Sequence, residues 1–192
     1  RGITLKRVED VVCGVMAKAL PERMTAAHSG QYTMVNFVGV DRNGKRIQGH
    51  MGGPYAGGHG ARSNKDGIDV TEHGATNGSP IPIEVSESKL PILFKKSLLW
   101  TDSGGAGKWR GGLGYTAEVE WKGGDCYGSF RRDRMKFKPW GIEGGHDGPL
   151  CKTQIISKKG KYTLPGKIDA PLIYGDIIKI HTTGSGGFGS PA

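Results

Sequence analysis

The stretch YTAEVEWKGGDCYGSFR, Tyr115 to Arg131, carries the reading of the fold. Its first seven residues alternate between apolar and polar, the pattern of a half-buried strand. Gly123-Gly124 then interrupts the run, and CYGSFR resumes it, which reads as two strands joined by a hairpin. The same grammar extends outward. YTMVNFVGVD (32–41) reads as a strand, Asn43-Gly44 as a hairpin turn, and RIQGHM (46–51) as the returning strand. PIEVSES (82–88), ILFKKSLLW (92–100), KTQIIS (152–157) and DIIKIHT (176–182) read as further strands, and SKKGKY (157–162) as a hairpin turn. Short strands linked by short turns favour an antiparallel arrangement over a doubly wound sheet.

One segment breaks this period. In TLKRVEDVVCGVMAKALPER (4–23), Leu5, Val8, Val12, Val15, Met16 and Ala19 recur at spacings of three and four. Thr4 is placed to cap the start and Pro21 to mark the end. Lys6, Arg7, Glu9 and Asp10 occupy the polar face, so the apolar stripe is expected to bury itself against something. The fold class is therefore mainly β (α+β): an antiparallel β sandwich or barrel-like domain with one N-terminal amphipathic helix. Residues 1–192 are expected to form a single domain, with 1–21 as the leading helix and 22–192 as a glycine-rich β body.

Glycine is the compositional outlier. The chain holds 34 among 192 residues, where average usage gives about 13. The excess gathers in three clusters, 49–67, 102–114 and 184–191. They also carry Tyr55, Trp109, Arg110, Leu113 and Phe188. Side chains of that kind pack, so the clusters read as rigid turns and not as linkers. None supplies the phosphate loop G-x-x-x-x-G-K-[ST] between strand and helix, because Gly107-Lys108 is followed by Trp109. ATP binding by this chain alone is not expected.

The net charge of +9 is spread among acidic residues, as in KRVED and RRDRMKFK. That pattern describes a solvated surface, open to an acidic subunit, so nucleic acid is not an expected partner, and with no apolar run of 18 residues no membrane is expected either. Cys13, Cys126 and Cys151 are odd in number and form no CxxC pair, which argues against a disulfide framework or structural zinc and fits a cytoplasmic location. The chain starts at Arg1 and reads as a piece of a longer polypeptide.

Several residues carry chemistry. His50, His59 and Asp66 lie close in sequence and would hold a metal only if they converged, so no metal is assigned to them. His146 sits in a GGHDG turn. Ser103 would need an activating histidine to act as a nucleophile, and the G-x-S-x-G elbow is absent. Arg62, Asp66, Asp102 and Arg110 are the candidate catalytic residues, with bracing of loops as their competing role. Arg110 is expected to pair with a carboxylate of this chain, Asp102 or Asp66, in a buried site.

Five motifs in order, GGHGARSNKDG (57–67), NGSPIPIEVSE (77–87), DSGGAGKWRGGLG (102–114), DRMKFKPWGIEGGHDG (133–148) and TTGSGGFGSP (182–191), together with ALPERMTAAHSG (19–30), resemble the C-terminal portion of the hydantoinase B/5-oxoprolinase family. The family includes N-methylhydantoinase B, 5-oxoprolinase and the large subunits of acetone and acetophenone carboxylases. The resemblance implies an enzyme that uses ATP, acting as hydrolase or carboxylase on a small cyclic amide or ketone. It implies an A-type ATPase partner that holds ATP and Mg, and a metal in an N-terminal half that has no counterpart here. It also implies that this chain works with the remainder of a B-type polypeptide, and alone is inactive. The alternative reading is a non-catalytic module that docks the ATPase partner or drives assembly.

Overall fold

The structure, a computed structural model, describes residues 2–31, 34–51, 56–74 and 78–192. Tyr55 and the first two residues of the 32–41 strand lie outside the described residues. Helix α1 spans Gly2–Ala17, and a single 3-10 turn follows at Pro21–Arg23. Strands β1 (Met34–Val40) and β2 (Arg46–His50) precede helix α2 (Ile83–Lys89). Seven strands follow: β3 (Ile92–Trp100), β4 (Gly114–Trp121), β5 (Cys126–Arg131), β6 (Lys152–Ser157), β7 (Gly160–Thr163), β8 (Lys167–Leu172) and β9 (Ile177–His181).

The strands form two sheets, ordered β2-β1-β5-β8 and β3-β4-β9-β6-β7. Each recorded pairing is antiparallel. The result is sandwich-like and not a closed barrel. Alternation on β4 does what the sequence implies. Ala117, Val119 and Trp121 are fully buried, while Glu118 and Glu120 face outward among lysines, with Lys179 Nζ 2.8 Å from Glu118 Oε1. The core lies between the sheets, where Phe37 of one stacks on Trp121 of the other at 5.0 Å between ring centroids.

The Gly123-Gly124 turn does not close a hairpin. β4 pairs with β3 and β9, whereas β5 pairs with β1 and β8. The turn carries the chain from one sheet to the other. Trp121 explains the glycine: a Cβ on Gly123 would stand 2.5 Å from the indole ring, and the indole N–H donates to the Gly124 carbonyl at 2.7 Å. PIEVSES is not a strand either. Pro82 leads into α2, where the Ser86 N–H bonds back to the Pro82 carbonyl at 3.2 Å and Ser88 Oγ to the Val85 carbonyl at 2.9 Å.

Helix α1 departs further from expectation. It begins at Gly2, ahead of Thr4, and ends at Ala17, short of Pro21. Its apolar stripe is exposed: Leu5, Val8, Val11, Val12, Val15 and Met16 retain 41–66% of their accessible surface. The face turned to the body carries Lys6, Asp10 and Ala17, all buried.

Candidate functional site

Two backbone segments are pressed together so tightly that glycine alone fits between them. A Cβ on Gly60 would stand 1.7 Å from the Ala26 carbonyl oxygen, and one on Gly58 1.8 Å from that of Gly112. Backbone hydrogen bonds fix the approach: Ala26 N–H to Ala61 O at 2.9 Å, Ser29 N–H to Gly58 O at 2.9 Å and Gly112 N–H to His59 O at 3.0 Å. The third cluster joins through Gly186 N–H to Ala27 O at 3.0 Å, and Trp109 exchanges backbone bonds with Phe188 at 3.0 and 2.9 Å. Among the described residues the glycine clusters thus form one junction, held by backbone contacts, with Trp109 and Phe188 partly buried. Its consequence is that the loops bearing His28 and His59 lie side by side.

Three imidazoles meet there. His28 lies 5.0 Å from His59 and 4.7 Å from His73 between ring centroids, edge to face in both cases. Their hydrogen bonds assign the tautomers. His28 Nδ1 accepts the Gly30 N–H at 2.6 Å, so the proton of the neutral ring sits on Nε2, which is buried and has no hydrogen-bond partner among the described residues. Gly30 allows this turn because its φ is +54°. His59 Nδ1 donates to the Gly60 carbonyl at 3.1 Å, which leaves the Nε2 lone pair of a partly exposed ring free to accept. Burial, and then the neighbouring imidazoles, hold His28 well below the usual histidine range. Burial likewise lowers His59, against the Gly60 hydrogen bond, which raises it. His73 Nδ1 sits 3.1 Å from Glu9 Oε2.

Helix α1 lays a set of paired charges beside this cluster. Lys6 Nζ, fully buried, reaches Glu72 at 2.7 Å and 2.9 Å and the Gln31 carbonyl at 3.2 Å. Burial lowers its ammonium despite the Glu72 contact. Asp10 lies between two guanidiniums, 2.8 Å from Arg7 and 2.6 Å from Arg134. Arg134 also donates to the carbonyls of His28 at 2.7 Å and Ser29 at 3.1 Å, and burial brings it down to about 10. Among the described residues no three His, Cys, Asp or Glu side chains are arranged to hold a metal ion.

The residues picked out in the sequence distribute differently. Arg110 does tie two loops together, but its side-chain partner is Asp69, with both terminal nitrogens 3.2 Å from Oδ1. Asp66 accepts the Arg110 backbone N–H at 2.8 Å instead. The pair is not buried, since the Arg110 side chain is 41% exposed, so the ion pair is worth about 0–1 kcal/mol. Among the described residues neither Arg62 nor Asp102 bonds to Arg110. Asp102 is an exposed turn residue at φ +57°, and Arg62 closes a small turn through its N–H to the Lys65 carbonyl at 3.0 Å. Ser103 Oγ is occupied, donating to the Trp100 carbonyl at 2.5 Å and accepting the Gly114 N–H at 2.7 Å. It braces the turn between Trp100 and Gly114. His50 lies exposed on β2 and His146 exposed in its turn. His28 and His73, which complete the cluster, carry no periodic signal in the sequence.

Comparison with known proteins agrees along the whole chain. Residues 1–191 match the family model described as hydantoinase B/oxoprolinase. An uncharacterized protein of Methanocaldococcus jannaschii is 38% identical over 188 residues, 98% of this chain and 32% of that protein. The B component of a putative D-/L-hydantoinase of Pseudomonas sp. (strain NS671) is 28% identical, covering 96% of this chain and 31% of its own. The 5-oxoprolinase 1 of Arabidopsis thaliana is 33% identical over 70% of this chain and 11% of its own. Among solved structures, an ATP-dependent caprolactamase from Pseudomonas jessenii superposes with TM-score 0.78 at 24% identity, over 91% of this chain and 32% of that one. A nucleotide-free acetone carboxylase does so with TM-score 0.76 at 17% identity, over 92% and 28%. At these identities the two structures speak for the fold. The chain spans about a third of the length of the first two relatives.

Proposed function

The chain belongs to the hydantoinase B/oxoprolinase family, and from that premise we propose that it forms one wall of the catalytic component of an ATP-dependent enzyme that opens small cyclic amides. The related carboxylation of small ketones is the neighbouring chemistry. In this reading ATP and Mg belong to a separate A-type ATPase partner, which activates the substrate oxygen by phosphorylation. The metal that family resemblance implies for the carboxylases belongs to the remainder of the B-type polypeptide.

The observation that carries the proposal is the tautomer of His59. A neutral imidazole, its Nδ1–H fixed on the Gly60 carbonyl and its pKa held down by burial, offers Nε2 as a general base at neutral pH. It would take the proton of the water attacking the activated carbonyl. His28 packs edge to face against it and keeps it in place. Arg110, with Asp66 and Asp69, braces the loop that carries His59 and is given no step. Arg62 and Asp102 are given no step.

The test is turnover by an assembled complex in which this chain replaces the matching third of the Pseudomonas hydantoinase B component, together with its ATPase partner. His59→Gln should lower kcat/KM for lactam-dependent ADP release by about 10²-fold or more with the melting temperature unchanged. Undiminished turnover would remove His59 from the chemistry and leave the chain as a docking module.

A further inference from the structure

The exposed stripe of α1 has a period as well as a position. Leu5, Val8, Val12 and Val15 follow the three-four spacing of heptad positions a and d, and Val11 and Met16 widen the seam on either side. The opposite face is already committed. Lys6 pairs with Glu72, Asp10 with Arg134, and Gly14 packs on Trp140, whose ring would stand 3.0 Å from a Cβ there. The helix therefore cannot roll to hide its apolar side without stranding buried charges. The seam also continues past the helix. Val11 and Val15 share a groove of about 300 Å³ with Phe137 and Trp140, the other side of which is lined by charged residues such as Arg7 and Lys18, and Phe137 is itself 79% exposed. Monomeric proteins seldom leave so continuous an apolar patch to water.

We infer that this seam is the docking site of an amphipathic helix from the remainder of the hydantoinase B-type polypeptide. The heptad spacing selects a helix as the occupant, because knobs at three-four spacing fit the holes of another helix crossing at about 20°. The sixteen residues of α1 offer about 24 Å of seam, enough for a partner of some four turns. The length of the relatives selects its source. The match covers 98% and 96% of this chain but 32% and 31% of the two relatives, so about two thirds of such a polypeptide lies beyond it. The proposal deepens the functional reading above, since it rests on this chain being one part of such a polypeptide. It does not depend on His59.

Two proteins test it: this chain alone, and a chimera in which it replaces the matched third of the Methanocaldococcus jannaschii relative. Both carry Cys13→Ser with Val12→Cys, and a maleimide reports access to position 12. The introduced thiol should react freely in the isolated chain and at least 100-fold more slowly in the chimera. Val8→Asp with Val15→Asp should leave the melting temperature of the isolated chain unchanged and lower that of the chimera. If the chimera does not fold, the same cysteine is placed in the intact Methanocaldococcus jannaschii protein at the position aligned with Val12, where protection is again expected. Equal labelling in the isolated chain and the longer protein overturns the inference. So does an isolated chain that sediments as a dimer and is made monomeric by Val12→Asp, because the seam would then belong to a second copy. ATP turnover is not read at any step, so the outcome stands apart from that of the His59 experiment.

Discussion

Removing the Arg134 side chain should loosen α1 and the histidine cluster together. Its guanidinium is buried and makes four contacts: Asp10 at 2.6 Å and the carbonyls of His28, Ser29 and Lys138 at 2.7, 3.1 and 3.3 Å. Breaking one partner of a buried ion pair costs about 3–5 kcal/mol. The low end applies here, because Arg7 stays 2.8 Å from Asp10 and also donates to the Ser29 carbonyl at 3.2 Å. Arg134→Ala is therefore expected to cost about 3 kcal/mol, a fall in melting temperature of about 6–12 °C for a chain of this size. Backbone geometry adds a second expectation. Arg134 has φ +57°, a conformation about 1–2 kcal/mol unfavourable for a residue with a Cβ, so Arg134→Gly should be the milder substitution by about 1 kcal/mol. Arg134→Lys should recover less than half of the loss, since one ammonium cannot span Asp10 and the carbonyls at once. Urea unfolding of the three variants measures this, with hydrogen exchange on α1 as the local readout. An alanine variant within about 0.5 kcal/mol of wild type, or a glycine variant less stable than alanine, would refute the reasoning.

Three further outcomes are expected. His28 and His59 are held below the histidine range by burial, so the unfolded chain binds more protons between their folded pKa values and about 6.5, and stability should fall as pH drops below about 6.5. His28→Gln should flatten that slope in urea titrations, by up to about 1.4 kcal/mol per pH unit. An unchanged slope would mean that His28 does not titrate in this way. Gly60→Ala forces a methyl to within 1.7 Å of the Ala26 oxygen and should cost about 1–3 kcal/mol or more; a neutral effect on thermal unfolding would show that the junction yields. Arg132 is buried, its three guanidinium nitrogens have no hydrogen-bond partner among the described residues, and burial lowers it to about 10. Arg132→Met should therefore raise stability, by about 1–3 kcal/mol, and a loss in chemical denaturation would point to an anionic partner for that arginine.

Much of the β framework is legible in the sequence because alternation is a local property of a strand that covers a core. Sheet membership is not local. The Gly123-Gly124 turn has the composition of a hairpin, and only the packing of Trp121 reveals that the next strand belongs to the other sheet. β8 is hidden because KIDAPL contains Pro171. A proline fits there because β8 is the edge of its sheet, where one backbone N–H has no ladder to join. α2 imitates a strand because Ile81, Ile83 and Val85 fall two apart, while Pro82 starts a helix too short to show a helical period. The candidate site is legible only in part. Glycine clusters announce a tight junction, and His59 stands within one, but nothing in the chain tells that loops at 28, 59 and 73 share a point in space.

Helix α1 shows why charge pattern alone misleads about what a helix face touches. Lys6, Arg7 and Asp10 read as a solvated stripe by the usual rule that charged residues are exposed. They are the anchors, each matched by a counter-charge on the body: Glu72 for Lys6, Asp133 for Arg7 and Arg134 for Asp10. Buried ion pairs contribute little net stability against apolar packing, so these contacts fix how the helix is turned more than they add to the stability of the fold. They are better explained by what they leave free and what they hold in place. With the polar side spent on the body, the valine seam must face outward. The same Asp10 that fixes the helix also orients Arg134, whose guanidinium grips the His28 carbonyl at 2.7 Å. The path from the exposed seam to the imidazole cluster is therefore short and made of buried, directional contacts: α1, Asp10, Arg134, His28.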